Sequence, residues 1–342
     1  MKLSQLIHQH PEALASLPTI QRSAANAITG CRTEQYGHLL AQCGDCEVPQ
    51  IRAHSCGHRS CPQCLNHCTS DWLDRQSLKL LPCDYYMVTF TLPRELRAFA
   101  KQHQRIVYDA LMSEAASTLK TFALNDTKCG DHIGLTGILH THTRRLDYHP
   151  HAHVIIPNGG LSKNKALWQR KSGRYLFNGR ALATVFRARV LKSLKQQGYD
   201  LPATPKQWIV HCKKVGRGLP ALQYLSRYLY RGVISEKNIL KSRDGQITFR
   251  YRDNQQQNQT RTLSTADFLK LVLQHVLPKG FRRVRDYGFL HGNAKQTLKR
   301  VQWALQVSVP KIEPRERPSW HCKHCGGDMH IISTYRRRFE TG

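Results

Sequence analysis

Apolar and polar positions recur along the middle of the chain in patterns that predict alternating strands and helices. Residues 85–92, YYMVTFTL, are β-branched and aromatic and end at Pro93, which predicts a strand. Residues 94–124 lack glycine and proline and predict a helix, and residues 181–197 have an amphipathic helical pattern. Further elements are predicted at 135–142, 150–157, 207–213, 220–230, 247–251, 260–263, 268–277 and 281–289.

Two pairs of predicted strands are joined by polar segments. Residues 135–142 and 150–157 flank the polar stretch 143–149, and residues 247–251 and 260–263 flank the run DNQQQNQT. Hairpins interspersed with helices favour a mainly antiparallel sheet with helical cover. The fold class predicted from this pattern is α+β, rather than a doubly wound parallel sheet.

The charge balance indicates that this protein binds a polyanion. The 342 residues include 52 Lys and Arg against 23 Asp and Glu, a formal net charge of +29. The excess is spread along the chain and indicates a nucleic acid partner.

The first residues, MKLSQLIHQHPEALASLP, contain no apolar core of a secretory signal. No window approaches the roughly 18 apolar residues of a membrane-spanning helix. We therefore expect no membrane partner and a cytoplasmic, reducing location, where paired cysteines usually bind metal instead of forming disulfides.

The N-terminal part is rich in cysteine and contains two CxxC motifs separated by fourteen residues. Each motif can place two thiolates around one tetrahedral zinc ion. The four predicted Zn²⁺ ligands are Cys43, Cys46, Cys61 and Cys64. The same stretch offers a second zinc set, made of Cys31, His38, Cys56 and one further histidine. Buried structural cysteines and solvated histidines are the alternative explanation of these extra residues.

A last cysteine pair, Cys322 and Cys325, is half of a metal site. Local spacing leaves open whether a nearby histidine completes it or whether the pair is free in a basic tail.

Histidines occupy alternate positions in residues 149–156, HPHAHVII. In a strand this period places His151 and His153 on one face and Val154 on the other. Two neutral imidazoles on one face can bind a divalent cation and leave positions open for phosphate oxygens and water.

The preceding predicted strand adds His140 and His142 on a single face. If residues 143–149 close a hairpin, we expect His140 to lie near His153 and His142 near His151. A third metal ligand is then available, although a solvated, histidine-rich face would show the same pattern.

Tyr224 and Tyr228 are four residues apart in the predicted helix 220–230 and therefore share a face, whereas Tyr230 points elsewhere. Taken alone, tyrosines at this spacing usually pack against a core.

Taken in order, these motifs resemble those of the two-tyrosine HUH transposases of the insertion sequence 91 family. HUH denotes His-hydrophobic-His, which is His151-Ala152-His153 in this chain. The resemblance covers most of the chain and rests on the cysteine-rich head, VTFTLP, the histidine strand followed by Gly159-Gly160, YLSRYLYR, LPKGFRRVRDYGFL at 277–290, and the knuckle Cys322-Lys-His-Cys325-Gly326.

The resemblance implies an HUH-nuclease antiparallel sheet with flanking helices. It implies an N-terminal zinc-binding domain at 1–80, an HUH domain with the tyrosine helix at 81–290, and a basic C-terminal segment at 291–342. It also implies Mg²⁺ or Mn²⁺ on His151 and His153. His140 is favoured as the third ligand, because the family's His-Thr before the turn matches His140-Thr141.

The implied activity is cleavage and rejoining of single-stranded DNA at element ends, through a 5′-phosphotyrosine on Tyr224 or Tyr228, in rolling-circle transposition. The implied partners are single-stranded DNA at the transposon ends and target site. Host replication and helicase functions are also implied, because the sequence has no GxxxxGK[ST] loop. A homodimer and association with the bacterial nucleoid are considered as well.

Two other function classes fit parts of the sequence. A tyrosine recombinase also forms a phosphotyrosine, but it is metal-independent and uses a single nucleophile, so loss of activity in EDTA separates the two. A non-catalytic zinc-finger protein would bind nucleic acid without forming any covalent adduct.

Overall fold

The computed structural model describes residues 1–64, 72–164, 167–218, 220, 233–253, 255–309 and 319–337. The chain divides into two units. The first unit comprises Met1–Cys68, Gly232–Val276 and Lys311–Gly342, and the second comprises Thr69–Arg231 and Leu277–Pro310.

Short strands and longer helices alternate through the described residues. The strands are β1 (His38–Cys43), β2 (Pro49–Ala53), β3 (Asp84–Thr91), β4 (Gly134–His142), β5 (Tyr148–Pro157), β6 (Gly159–Leu161), β7 (Trp168–Arg170), β8 (Ile209–Arg217), β9 (Ile239–Arg243), β10 (Gln246–Arg252), β11 (Asn258–Ser264), β12 (Val284–Gly288) and β13 (Met329–Tyr335). The helices are α1 (Leu3–Gln9), α2 (Thr19–Thr29), α3 (Arg97–Gln102), α4 (Gln104–Leu124), α5 (Gly179–Gln196), α6 (Thr265–Leu273) and α7 (Lys295–Ala304).

A five-stranded antiparallel sheet of spatial order β12-β4-β5-β3-β8 forms the centre of the second unit. Its two faces differ in chemistry because successive residues of a strand point to opposite sides. On β5, Ala152, Val154 and Ile156 belong to a hydrophobic core that also contains side chains of α4 and α5. His151 and His153 alternate with them and therefore occupy the other face. The α+β class and the antiparallel arrangement predicted from the sequence are confirmed.

The predicted strands at 85–92, 135–142 and 150–157 form with boundaries within two residues of the prediction. The predicted helix 94–124 is divided into a 3₁₀ turn at Arg94–Leu96, α3 and α4. The division falls at His103, whose φ of −117° and ψ of 45° leave the helical region. The predicted tyrosine helix at 220–230 lies outside the described residues, apart from Pro220.

The first unit is assembled from three separate stretches of the chain. One sheet has the order β13-β1-β2, so the last strand of the described residues pairs with the first. A second sheet has the order β11-β10-β9, and α6 packs near Pro11–Leu14. The sequence analysis instead predicted domains that are continuous ranges, with boundaries at 80 and 290. Local sequence patterns carry no information about pairing between strands that are far apart in the chain.

None of the helices in the described part of the chain is both long enough and apolar enough to cross a membrane.

Candidate functional site

Three histidines converge on the polar face of the central sheet. His140 on β4 is directly opposite His151 on β5, and His153 follows two residues later on the same face. One ring nitrogen from each of the three lies within 4.8 Å of the others. The ring centroids of His151 and His153 are 4.8 Å apart, and those of His140 and His153 are 5.1 Å apart. The arrangement presents three nitrogen donors to one point.

The register differs from the predicted pairing by two residues at His140 and by three at His142, because it shifts between these two positions. The ring of His140 lies near that of His153 as expected, but its direct partner across the strands is His151. His142 was expected near His151, whereas its partner is Tyr148. The turn is shorter than the polar stretch suggested, because the N–H of Thr143 donates to the carbonyl of Asp147 at 2.9 Å. The two-residue slip at His140 leaves its side chain on the expected face, so His140, His151 and His153 still meet.

Hydrogen bonds orient two of the three rings. Nδ1 of His151 lies 2.7 Å from the backbone carbonyl of His149. A carbonyl only accepts, so this nitrogen carries the proton and Nε2 keeps its lone pair. Nδ1 of His153 lies 3.0 Å from Oγ1 of Thr89 on the neighbouring strand β3. Histidines that bind a metal through one ring nitrogen typically make such a hydrogen bond with the other ring nitrogen.

Burial keeps the three imidazoles neutral. His140, His151 and His153 are 9%, 9% and 7% exposed. Burial lowers the pKa of His140 well below its usual value, and it lowers the pKa of His151 to about 3 and that of His153 to about 4. A neutral imidazole is the form that coordinates a metal ion, so at pH 7 the three rings are ready to act as ligands.

The other two histidines of these strands have different surroundings. Nδ1 of His149 lies 2.7 Å from Nη2 of Arg97, and because a guanidinium only donates, this nitrogen is already accepting a hydrogen bond. His142 stacks on His140 with centroids 5.3 Å apart and ring planes inclined at 22°. Neither belongs to the group of three converging donors.

Sequence reasoning missed Thr89 and Arg97. A signal for Thr89 was present, because it shares a face with Thr91 at period two within VTFTLP. No local signal marks Arg97, which meets His149 only through tertiary packing.

The described cysteines of the first unit form two groups of four. Cluster A consists of Cys31, Cys56, Cys61 and Cys64, and cluster B consists of Cys43, Cys46, Cys322 and Cys325. In cluster A, Sγ of Cys64 lies 3.6 Å from the Sγ atoms of both Cys31 and Cys56. Zinc–sulfur bonds of about 2.3 Å in a tetrahedron place the sulfurs about 3.8 Å apart. The spacing therefore suits a tetrahedral zinc ion.

The structure corrects the ligand set expected from the CxxC spacing. Cys43 and Cys46 do not join Cys61 and Cys64, because β1 pairs with β13 and brings the C-terminal knuckle to the first motif. Cys61 and Cys64 instead meet Cys31, just after α2, and Cys56.

The structure also places His38 away from both clusters. His38 pairs in the sheet with Ala53 and Tyr335, and its ring lies 5.7 Å from that of Tyr335. Its strand position therefore separates it from the metal-ligand groups found among the described residues.

The predicted nucleophiles Tyr224 and Tyr228 lie outside the described residues. Their placement relative to the histidines is accordingly an expectation from the sequence.

Two family models match the chain. The model described as "Transposase zinc-binding domain" matches residues 3–92, and the model described as "Putative transposase" matches residues 134–297. The first range contains cluster A, and the second contains all three converging histidines.

Two named relatives match over most of their length. The protein named "Putative transposase y4qJ" of Sinorhizobium fredii is 32% identical over 330 residues, which cover 89% of this chain and 83% of the relative. The transposase for insertion sequence element IS801 of Pseudomonas savastanoi pv. phaseolicola is 30% identical over 323 residues, covering 87% of this chain and 77% of the relative.

Two solved structures of the conjugative relaxase TrwC with DNA also match in part. The complex with OriT DNA has a TM-score of 0.31 and 14% identity, over 65% of this chain and 73% of the relaxase chain. The complex with a 27-mer DNA has a TM-score of 0.28 and 14% identity, over 66% and 75% of the two chains.

The antiparallel sheet with its His-Ala-His strand, the two family-model matches and the two transposase relatives define this protein as a transposase with an N-terminal zinc-binding domain. The chain belongs to the insertion sequence 91 family of transposases, enzymes that cut DNA and transfer its strands. Neither of the two other function classes, a tyrosine recombinase and a non-catalytic zinc-finger protein, is favoured by this family membership.

Proposed function

We propose that this transposase is metal-dependent and cleaves and rejoins single-stranded DNA at the ends of its element through a 5′-phosphotyrosine. The observation that carries the proposal is the convergence of three neutral imidazoles, those of His140, His151 and His153, on one face of the central sheet. Such a set binds a divalent cation and leaves coordination positions open on the solvent side.

The three imidazoles fit a first-row transition ion better than Mg²⁺, because Mg²⁺ prefers oxygen ligands and water. Of the two ions considered, Mn²⁺ is therefore the better match. When bound, the ion supplies charge stabilisation to the oxygens of the scissile phosphate. The protein's own contribution is to hold three ring nitrogens at one point, with His149 and Thr89 fixing the rings of His151 and His153.

The proposed nucleophiles are Tyr224 and Tyr228. Attack by a tyrosine hydroxyl forms a bond between its oxygen and the phosphorus, and the bond to the 3′-oxygen breaks. The tyrosine hydroxyl gives up its proton as it attacks, and the 3′-oxygen takes up one proton and leaves as a hydroxyl, so the step balances. The phosphotyrosine keeps the energy of the broken phosphodiester, so rejoining needs no ATP. A second tyrosine one helical turn away can accept a second strand before the first is released.

Single-stranded DNA at the transposon ends and at the target site is the proposed substrate, since one backbone must reach the site. The excess of Lys and Arg supplies affinity for phosphate without sequence preference. Strand separation is assigned to host replication and helicase functions. We also propose action in the bacterial cytoplasm at the nucleoid, and we consider a homodimer.

A structural zinc ion in cluster A completes the proposal. Its four thiols come from residues within the matched zinc-binding domain, and the sulfur spacing fits tetrahedral thiolate coordination. This ion would stabilise the fold of the first unit and take no part in cleavage.

The test is incubation of the full chain with labelled single-stranded oligonucleotides that span the element's ends. After removal of loosely bound metal, we expect a covalent protein–DNA adduct on a denaturing gel when Mn²⁺ is added and none without it. An adduct of equal yield without added metal would contradict the metal role. A Tyr224→Phe, Tyr228→Phe double variant that still forms the adduct would contradict the nucleophile assignment.

A further inference from the structure

The first and last cysteine pairs of the chain meet in cluster B, although 276 positions separate Cys46 from Cys322. We propose that cluster B binds a second structural zinc ion, which fastens the C-terminal strand β13 to the N-terminal strand β1. The matched zinc-binding domain ends at residue 92, so it does not include Cys322 and Cys325. The inference does not depend on the proposed strand-transfer chemistry.

The sulfur positions suit one zinc ion and exclude disulfides. Sγ of Cys43 lies 3.4 Å from that of Cys325, and Sγ of Cys46 lies 3.7 Å from that of Cys322 and 3.4 Å from that of Cys325. A disulfide would place two sulfurs about 2.05 Å apart, whereas tetrahedral zinc–thiolate coordination places them about 3.8 Å apart.

Backbone N–H groups are directed at the C-terminal sulfurs. The N–H of His324 lies 3.3 Å from Sγ of Cys322, and the N–H of Gly327 lies 3.4 Å from Sγ of Cys325. Donation from the backbone stabilises negative charge on an acceptor. Both sulfurs therefore accept backbone hydrogen bonds of the kind that a zinc-bound thiolate accepts.

The two knuckles fit closely around the proposed ion. The N–H of Gly44 donates to the carbonyl of Asp328 at 3.0 Å, and Cys43 pairs with Met329 in the strand register. A Cβ atom at Gly327 would lie 2.1 Å from Oδ2 of Asp45, so the backbone at Gly327 lies close to this side chain of the first CxxC motif. The C-terminal knuckle is thus shaped to the N-terminal one.

Side chains outside the cluster hold the C-terminal segment in the same position. Gln50 donates from Nε2 to Sγ of Cys322 at 3.4 Å, and its Oε1 accepts from the indole N–H of Trp320 at 3.3 Å. The guanidinium of Arg52 lies 4.1 Å from the centre of the Trp320 ring. Neighbouring residues of β2 therefore support both the cluster and the segment that leads into it.

The hydrophobic core around cluster B is small for an element that has to hold β13 in place. It contains four buried residues, which are Ala41, Cys43, Cys322 and Met329. Within β13 only Met329 is buried, and Ile331 and Ile332 are 61% and 56% exposed. Small domains with little buried surface usually need a disulfide, a metal ion or an oligomeric partner, so metal binding would supply stability that this small core lacks. In a reducing compartment, where disulfides rarely persist, a zinc ion can link two distant segments of a chain as a disulfide does in secreted proteins.

The direct test is the zinc content of the purified full chain and of serine variants. After removal of loosely bound metal, including any at the three histidines, we expect two zinc ions per wild-type chain. Cys46→Ser and Cys322→Ser should each leave one, and the Cys46→Ser, Cys322→Ser double variant should also leave one, because both thiols serve the same ion. Combining Cys322→Ser with Cys31→Ser should remove both ions.

Cys212→Ser is the matched control, because Cys212 is a half-buried cysteine on β8 that belongs to neither cluster, and it should retain two ions. One zinc in the wild type, or two zinc ions in Cys322→Ser, would overturn the proposal.

A measurement on the unmodified chain removes any dependence on how the variants fold. During titration with a chelator, thiols are alkylated and mapped by mass spectrometry. Cys43, Cys46, Cys322 and Cys325 should become reactive together, because loss of one ion frees all four. Reaction of Cys322 and Cys325 while Cys43 and Cys46 stay protected would overturn the proposal that the four thiols share one ion.

Discussion

The backbone carbonyl of His149 accepts the Nδ1 proton of His151 at a distance of 2.7 Å. The ring of the same His149 accepts a hydrogen bond from Arg97 at 2.7 Å. His149 therefore orients His151, which is a proposed metal ligand, and His140 from the neighbouring strand completes the proposed ligand set.

Substitutions at these two histidines should have unequal effects. His149→Ala keeps the backbone carbonyl that orients His151, so Mn²⁺ affinity should fall only slightly. His140→Ala removes a donor nitrogen, and cleavage should be lost at Mn²⁺ concentrations that saturate the wild type. Titration of cleavage rate against Mn²⁺ measures both effects. A larger loss in His149→Ala would show that His149 is the third ligand.

Thr89→Val should weaken metal binding without removing any ligand. The change is nearly isosteric, but it deletes the hydroxyl that lies 3.0 Å from Nδ1 of His153. Loss of such an outer contact typically lowers metal affinity by roughly 10–100-fold. Thr91→Val, on the same strand and face, is the control and should retain wild-type affinity. Equal Mn²⁺ affinities in the two variants would refute the orienting role of Thr89.

The tyrosines are tested by deletion of a single oxygen. If Tyr224 and Tyr228 pack in a core, Phe preserves function at either position. If they are nucleophiles, the double Phe variant forms no adduct, and each single variant loses part of the full strand-transfer reaction. Tyr230→Phe is the control and should cleave normally. Peptide mapping of the wild-type adduct should find DNA on Tyr224 or Tyr228, and DNA on another residue would exclude both.

Asn178→Ala should destabilise the second unit without touching the histidines. The side-chain oxygen of Asn178 accepts hydrogen bonds from the N–H groups of Arg180 and Ala181 at the start of α5, at 2.9 and 3.2 Å. Loss of such a cap costs about 1 kcal/mol of the free energy of unfolding. Asn178→Asp keeps an acceptor and should recover most of that loss. Urea unfolding of the three proteins checks the ranking, which a loss of the same size in Asn178→Asp would contradict.

The histidine site was accessible from the sequence because its signal is local. Alternation at His151 and His153 fixes a shared face in any strand, and this holds even though the predicted register was two residues out. The error arose because the closing bond from Thr143 to Asp147 shortens the turn, and a polar stretch alone does not specify such a bond.

The thiol groups could not be assigned in the same way. Two CxxC motifs in one stretch favour one shared ion. The pairing of β1 with β13 instead determines which cysteines lie together, and these two strands are separated by most of the chain. The Arg97–His149 contact is similarly invisible in the sequence, because it depends on how the segment after β3 packs against β5.

The most direct test of the central claim separates cleavage from DNA binding in His151→Ala. We expect affinity for single-stranded DNA to come mainly from Lys and Arg contacts to phosphate, which this substitution leaves in place. Fluorescence anisotropy and adduct yield are measured on the same oligonucleotide, with saturating DNA and added Mn²⁺. We predict an anisotropy curve close to that of the wild type and no covalent adduct. Adduct formation at the wild-type level would contradict a metal centre at these histidines.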